Sequence, residues 1–343
     1  MYDVVMLTLA RGEEDSTGCG AGGDCCSPTA PAGRADCADT PRVPVLACAD
    51  ALTSRGARVE FVTARSDREI DAVLARLDGP PRLDGLDWPD PDGKTRLVVA
   101  TASDAQLRAV MRRLVRRYAP PPSRRPADLA DNRTLPDLPA IGVLPLDPSR
   151  SGDPGRPTGS RLPSAPESPG DLAGQLGLPR DPAAVAAALL DGRVRRLDLL
   201  RNDAGSVTLD GALLGAANEA GTPLAWRGRV EVDDTVLTGG DDPLLACVVG
   251  NAGGYAELTG VRLLSTADPA DGAVEVAVAV PVLARSRWGR RTMRIEVRRA
   301  RGRAVAVTPR DPEVPFLDDG VPGTLSRKRS WWIEPGAWAV YDR

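Results

Sequence analysis

The sequence predicts an α/β N-terminal domain with a doubly wound, mostly parallel sheet, followed by a β-rich C-terminal domain with antiparallel, sandwich-like strands. The first half alternates short apolar strands with amphipathic helices, which is the pattern of an open α/β sheet. From about residue 199, short alternating apolar segments separated by Gly, Asp and Pro replace that pattern and indicate antiparallel strands. A chain of 343 residues also exceeds what one small core usually holds. We therefore expect two domains.

The predicted strands of the first half are short apolar runs, and we place them at residues 1–8, 58–63, 96–100 and 140–145. Helical spacing of apolar residues predicts helices at residues 44–55, 66–77, 104–118 and 182–190. Ser66 is expected to cap the second helix, with Glu69 three residues on. Two stretches without apolar periodicity, residues 11–41 and 146–170, are predicted to be loops.

The composition excludes several classes of function. The chain contains no histidine, so Ser-His-Asp and Cys-His catalysis are excluded, and a general base would have to be a carboxylate, Lys, Tyr or Cys. A net charge of −3 gives no reason to expect a nucleic-acid partner. No apolar run of about 18 residues predicts a transmembrane helix, and the N-terminus lacks a basic region and a cleavage site. We expect a cytoplasmic protein whose lipid contacts, if any, are peripheral to the membrane.

The cysteines leave a redox or metal function open. Four of the six cysteines lie in the loop at residues 11–41, namely Cys19, Cys25, Cys26 and Cys37. No C-x-x-C spacing occurs, so a flexible loop with reduced thiols is the favoured interpretation and a metal or redox site is the alternative. The other two, Cys48 and Cys247, stand in apolar runs and are expected to be small core residues.

Three short segments are candidates for a functional site. The first is the turn Ala102-Ser103-Asp104-Ala105-Gln106, between a predicted strand and a predicted helix. A glycine-rich turn at such a place lets backbone N–H groups approach a phosphate. The second is Ile141-Gly142-Val143-Leu144-Pro145-Leu146, which continues after the second loop with Gly170-Asp171-Leu172-Ala173-Gly174-Gln175-Leu176-Gly177-Leu178-Pro179. The third is Asp319-Gly320-Val321 near the C-terminus.

In this order the segments resemble motifs of the diacylglycerol kinase family of ATP-dependent lipid kinases. That family has a GGDGT turn between a strand and a helix, a GVLPLGTGND strand followed by LA..LGLP, and a late DGE. Here only Asp104 matches the GGDGT pentapeptide, and Val321 stands where the family has glutamate. The resemblance implies a nucleotide-binding domain at residues 1–198, which includes both loops, and a lipid-binding β-rich domain at residues 199–330. It also implies a last strand, at about residues 331–343, that returns to the first domain.

The resemblance further implies the residues of a site. ATP and Mg²⁺ would be the cofactors, with the ATP phosphates over Ala102, Ser103, Asp104, Ala105 and Gln106. Asp104 would hold the metal, and Asp171 would help to shape the phosphate site. Asp319 would be the general base that accepts the proton of a lipid hydroxyl.

Each of these residues also has a plain structural interpretation. Asp104 or Ser103 can cap the helix at residues 104–118, and residues 316–320 can form a simple acidic turn. The basic face of the same helix is expected to be a solvated surface, with ATP phosphates or an anionic membrane as alternatives: it consists of Arg108, Arg112, Arg113, Arg116 and Arg117.

Three functions therefore remain open. The first is a lipid kinase that transfers the ATP γ-phosphate to diacylglycerol or a similar lipid. The second is a catalytically impaired relative that binds nucleotide or lipid, or docks a partner. The third is a cysteine-based redox or metal protein.

Overall fold

A computed structural model describes residues 2–10, 42–146, 171–218, 221–258, 260–265, 267–285 and 291–343. The predicted loop at residues 11–41 and nearly all of the loop at 146–170 lie outside this part of the chain. The predictions for Cys19, Cys25, Cys26 and Cys37 therefore also fall outside the described residues.

The first half of the chain forms the parallel part of a large sheet. Its strands lie side by side in the order β2-β1-β3-β4, all parallel: β1 Asp3–Leu9, β2 Arg58–Ala64, β3 Thr95–Thr101 and β4 Ala140–Pro145. One face packs on two helices, α1 Val43–Thr53 and α5 Pro182–Asp191. The other face packs on α2 Asp67–Leu74 and α3 Asp104–Tyr118. Because helices cover both faces, the strands can be apolar throughout, and the predicted doubly wound sheet is confirmed.

Local sequence accounts for the start of α2. The Ser66 hydroxyl accepts a hydrogen bond from the Glu69 backbone N–H at 3.3 Å, as the capping pattern predicts. The Glu69 carboxylate in turn accepts the backbone N–H of Arg65 at 2.6 Å. The helix then ends in one 3₁₀ turn, Ala75–Leu77.

One long strand, β20 Arg329–Asp342, joins the parallel sheet to the β-rich half. Its C-terminal part runs parallel to β4, with Ala339 opposite Ala140. Its N-terminal part runs antiparallel to β17 Ala304–Pro309, and β5 Arg193–Asn202 pairs with it along its other edge. Ten strands thus form one sheet that also contains β6 Val207–Thr208, β10 Trp226–Val232 and β11 Thr235–Leu244.

A second, antiparallel sheet packs on the β-rich end of the first. Its strand order is β16-β15-β12-β7-β18-β19: β7 Gly211–Leu214, β12 Ala246–Gly250, β15 Val274–Arg285, β16 Arg291–Gly302, β18 Val314–Asp318 and β19 Val321–Leu325. Valine and leucine side chains from both sheets form the core between them, together with Trp331, which is 1% exposed. The predicted antiparallel, sandwich-like part of the fold is confirmed.

The remaining short elements connect these layers. They are the 3₁₀ turn Pro122–Arg124, the helix α4 Leu172–Gln175, and the two-residue strands β8 Ala216–Ala217, β9 Pro223–Leu224, β13 Glu257–Leu258 and β14 Val261–Arg262. The division of the chain into domains near residue 198 stays a prediction. No helix within the described ranges is both long enough and apolar enough to cross a bilayer.

Candidate functional site at the first turn of α3

The turn predicted to bind phosphate lies between β3 and α3, where the helix N-terminus directs backbone N–H groups outward. Two of those N–H groups already have partners in the chain's own side chains. The Ala102 N–H donates to the Gln106 side-chain oxygen at 2.9 Å. The Ser103 N–H donates to the Thr101 hydroxyl at 3.2 Å, and that hydroxyl donates to the Ser103 carbonyl at 2.5 Å. Two N–H groups of the turn are therefore engaged within the chain, and a phosphate that used them would have to displace these bonds.

Asp104 and Asp171 meet beside this turn, although 66 residues separate them in the sequence. Both line a small cleft of about 30 Å³ together with the turn itself and with Arg180. The Leu172 N–H, at the start of α4, donates to both Asp104 carboxylate oxygens at 3.3 and 3.2 Å. Asp171 forms an ion pair with Arg180. Among the described residues, Arg180 is the one arginine that lines the cleft, and a carboxylate already neutralises it.

These residues do not fit Mg²⁺–ATP in the arrangement described. The cleft is about as large as one water molecule, whereas a triphosphate needs several free N–H donors and uncompensated positive charge. Within the described ranges, no group of three or more Asp, Glu, Cys or His side chains is placed to hold a metal ion. Asp104 alone is too small a ligand set for Mg²⁺, which binds through several oxygens.

The carboxylate of Asp319 lies in the turn between β18 and β19 and is enclosed by backbone donors. It accepts the N–H of Leu209 at 2.8 Å, of Asp210 at 2.9 Å and of Gly211 at 3.1 Å. The Asp319 side chain is 0% exposed. Its φ of +49° is a left-handed conformation that aspartate tolerates better than most residues. Asp319 therefore ties the β18–β19 turn to the start of β7, and its oxygens face the protein interior.

Arg108, one helical turn after Asp104, is the cation of this region. It donates to the Asp318 carboxylate at 2.5 Å, to the Ser206 hydroxyl at 2.9 Å and to the Val207 carbonyl at 2.7 Å. It also lies 3.6 Å from Asp319. Burial, the negative charge of Asp318 and that of Asp210 raise the pKa of Asp319, against the opposing effect of Arg108. Burial likewise raises the pKa of Asp318. Arg108 thus lies close to two buried carboxyl groups, and the charge of Arg329 also lowers the pKa of Asp318.

A third buried carboxyl group, Asp210, extends the cluster toward Asp104. The Gly254 N–H donates to Asp210 at 2.9 Å, and the Gln175 side-chain amide approaches it at 3.4 Å. Burial raises the pKa of Asp210 from 3.8 to about 7, and the nearby charge of Asp104 adds to the shift. We call Asp210, Asp318, Asp319 and Arg108 the acidic cluster.

Four predicted site residues line the cleft, namely Ala102, Ser103, Asp104 and Asp171. Ala105 and Gln106 follow in the first turn of α3, and Asp319 lies in the acidic cluster. The sequence analysis did not identify Asp210, and it did not predict that Arg108 forms an ion pair with Asp318. A buried acid next to a glycine, as in Asp210-Gly211, resembles Asp319-Gly320, but only the packing of two distant turns brings the two together.

The basic face of α3 is only in part the solvated surface that we expected. Arg113 forms ion pairs with Asp67 and Asp71 of α2, and Arg117 with Asp78. The Arg108 and Arg113 side chains are only 13% and 11% exposed. The charges complement the acidic side of the neighbouring helix, because α2 and α3 pack side by side on the same sheet face. Arg112, at 45%, and Arg116 are the exposed members.

The two cysteines within the described ranges are core residues. Cys48 and Cys247 are both buried and unpaired. Burial raises the pKa of Cys48 to about 11 and that of Cys247 to about 12, so both thiols stay protonated near neutral pH. Neither residue supports a redox function.

Comparison with known proteins connects this fold to lipid kinases. No protein-family model and no curated protein matches the sequence. A solved diacylglycerol kinase structure from Bacillus anthracis superposes with a TM-score of 0.54 at 11% identity, covering 99% of this chain and 96% of the other. A second protein from that organism, provisionally named a diacylglycerol kinase, gives a TM-score of 0.57 at 10% identity, covering 99% and 97%. The resemblance is confirmed at the level of the fold: this chain has the two-part fold of the diacylglycerol kinases.

Proposed function

We propose that this protein has the architecture of a diacylglycerol kinase but acts by binding a nucleotide, a lipid or a partner protein rather than by phosphoryl transfer. The observation that carries the proposal is the environment of Asp319, the residue expected to be the general base. Its carboxylate accepts three backbone N–H groups and is enclosed, so it is not available to accept a proton from a lipid hydroxyl. The glutamate that could share this task is replaced by Val321.

The nucleotide side of the site supports the same proposal. Ala102 and Ser103 have their N–H groups occupied by the side chains of Gln106 and Thr101. A catalytically impaired relative, acting as a nucleotide- or lipid-binding or partner-docking protein, agrees with both features. Fold alone does not decide activity, because related folds host both active and inactive sites.

An ATP-dependent diacylglycerol kinase is the second candidate. It is favoured by the convergence of Asp104 and Asp171 at the N-terminus of α3, where a magnesium–phosphate complex could be bound after rearrangement. Proteins of the same fold that are named diacylglycerol kinases also favour it. This candidate requires ATP, Mg²⁺ and a lipid substrate, and a cytoplasmic protein with peripheral access to the membrane.

Transfer of labelled γ-phosphate from Mg-ATP to diacylglycerol in mixed micelles separates the two candidates. We expect no transfer above the protein-free blank. The Val321→Glu variant should not restore transfer, because the glycine-poor turn stays occupied. Transfer by the wild-type protein that is abolished in Asp104→Asn and kept in Asp241→Asn, a 92% exposed site, would establish the kinase instead.

A variant of the turn tests whether the occupied Ala102 N–H limits nucleotide binding. Gln106→Ala removes the side chain that occupies the Ala102 N–H, so that this donor becomes available to a phosphate. A hydrogen bond to a charged group contributes about 1.5–3 kcal/mol, and we expect the Kd for Mg-ATP to fall about tenfold or more. Isothermal titration calorimetry measures the change. Arg112→Ala, an exposed change on the same helix, is the control and should leave the Kd unchanged. Equal affinity in wild type and Gln106→Ala would show that the occupied N–H is not the obstacle.

A further inference from the structure

The hairpin of β15 and β16 projects beyond the sheet to which it belongs. β12 pairs with β15 only from Glu275 to Ala279. The next six residue pairs, from Val280 opposite Glu296 to Arg285 opposite Arg291, are held by no third strand of the described sheet. This distal ribbon, residues 280–285 and 291–296, is about 20 Å long at the usual rise of a strand.

The two faces of the distal ribbon differ in exposure. Val280 is 2% exposed and faces the sandwich core, which Val282 also contacts. On the other face, Leu283 is 74% exposed, Met293 71% and Ile295 39%. Leu283 and Met293 stand directly opposite each other, and Ile295 follows on the same side. Three large apolar side chains thus form one continuous exposed face.

Such a face indicates a binding surface. An isolated two-stranded hairpin is only marginally stable in water, and contiguous exposed apolar residues on a folded protein mark sites of association. The sequence of the distal ribbon contains three arginines, Arg285, Arg291 and Arg294, and one acidic residue, Glu296, although the chain as a whole has a net charge of −3. Positive charge is therefore concentrated where the apolar face is exposed.

We propose that the distal ribbon docks this protein on the surface of an anionic lipid bilayer. Leu283, Met293 and Ile295 enter the interfacial region, while the net positive charge of the ribbon is attracted to the anionic headgroups. A second copy of the chain is a poorer partner, because symmetric pairing would bring these arginines against each other. β16 is also the edge strand of its sheet, and its arginines oppose strand addition.

This inference is independent of the proposed function. Glu275, at the other end of β15, pairs with Gly250 next to the acidic cluster, so the apolar face lies on the order of 30 Å from that cluster along the strand. The surface can therefore anchor the protein whether or not the site transfers phosphate.

Sedimentation with lipid vesicles tests the inference. The vesicles contain phosphatidylcholine alone or with about one third phosphatidylglycerol, which supplies the anionic surface charge. Wild-type protein should bind the anionic vesicles, and binding should weaken at high salt. We expect Leu283→Ser, and separately Met293→Ser, to weaken binding about tenfold through lost apolar burial. Arg294→Gln should weaken it about fivefold at low salt.

Leu83→Ser is the matched control, because Leu83 is fully exposed and lies far from the ribbon in the sequence. It should bind like wild type, and every variant should keep the wild-type melting temperature. The inference is overturned if wild type does not bind anionic vesicles, or binds both vesicle types equally, or if Leu283→Ser and Leu83→Ser behave alike. It is also overturned if the wild-type protein is a dimer that Leu283→Ser dissociates without any vesicle binding. Preferential binding of polyglutamate over vesicles would favour an acidic protein partner instead.

Discussion

Asp319→Ala is expected to destabilise the protein by about 4 kcal/mol. The substitution leaves the N–H groups of Leu209, Asp210 and Gly211 buried without an acceptor, and each unsatisfied buried donor costs about 1–3 kcal/mol. It also places alanine at a φ of +49°, where a Cβ without a polar side chain is strained. Asp319→Asn keeps one acceptor oxygen and should cost about 2 kcal/mol. Urea unfolding measures both values.

Asp233→Ala is the control for backbone strain. Asp233 has nearly the same φ, +47°, and its carboxylate also accepts two backbone N–H groups, from Arg303 and Ala304, but it lies at the surface. Loss of the Asp233 carboxylate should lower the free energy of unfolding markedly less than loss of the Asp319 carboxylate, because water replaces it as the acceptor of the two N–H groups. If Asp319→Asn keeps full stability while a measured kinase activity is lost, Asp319 is a general base and not a structural acceptor.

Asp210→Asn is expected to make the protein more stable than wild type at pH 8 and to leave it nearly unchanged at pH 4. The folded pKa of Asp210 is raised to about 7 from 3.8, so folding favours the protonated form. The stability that the protonated Asp210 side chain contributes is complete below about pH 4 and is lost as the pH rises through about 7. A shift of about 3 units corresponds to about 4 kcal/mol, and asparagine, which stays neutral, avoids that loss. We expect a gain of about 2–4 kcal/mol at pH 8.

The measurement is the free energy of unfolding of wild type and variant at several values between pH 4 and pH 8. Taking the difference removes the pH dependence that the two proteins share. Loss of the Asp210 charge also lowers the pKa of Asp319, which adds to the difference in the same direction. Asp241→Asn, at an exposed position, should show no pH-dependent difference from wild type. A difference between Asp210→Asn and wild type that does not change with pH would mean that Asp210 is not a buried acid with a raised pKa.

Local pattern determined most of the secondary structure. The helix predicted at residues 104–118 has those bounds in the fold, and so does the strand at 140–145, because apolar periodicity reports burial directly. The apolar runs around Cys48 and Cys247 predicted that these two cysteines are core residues, and both are 0% exposed. The order of the motifs along the chain also predicted the kinase-like fold.

The pairing of strands that are distant in the sequence was decided by tertiary structure. Nothing local in β20 specifies that one strand pairs with β4, β5 and β17, because hydrogen bonds between strands depend on neighbours up to about 200 residues away. The same holds for the partners of the arginines on α3. An arginine stripe has the same sequence whether it faces water or the acidic side of another helix.

The character of the candidate site was also decided by tertiary structure. The sequence by itself determined which residue types are present: a glycine-poor turn, a valine in place of glutamate, and no histidine. It could not determine that the side chains of Gln106 and Thr101 accept the N–H groups of Ala102 and Ser103. Nor could it determine that Asp319 is enclosed by backbone N–H groups about 110 residues earlier in the chain. The availability of a carboxylate depends on burial and on its hydrogen-bond partners, and both arise only when distant segments of the chain pack together.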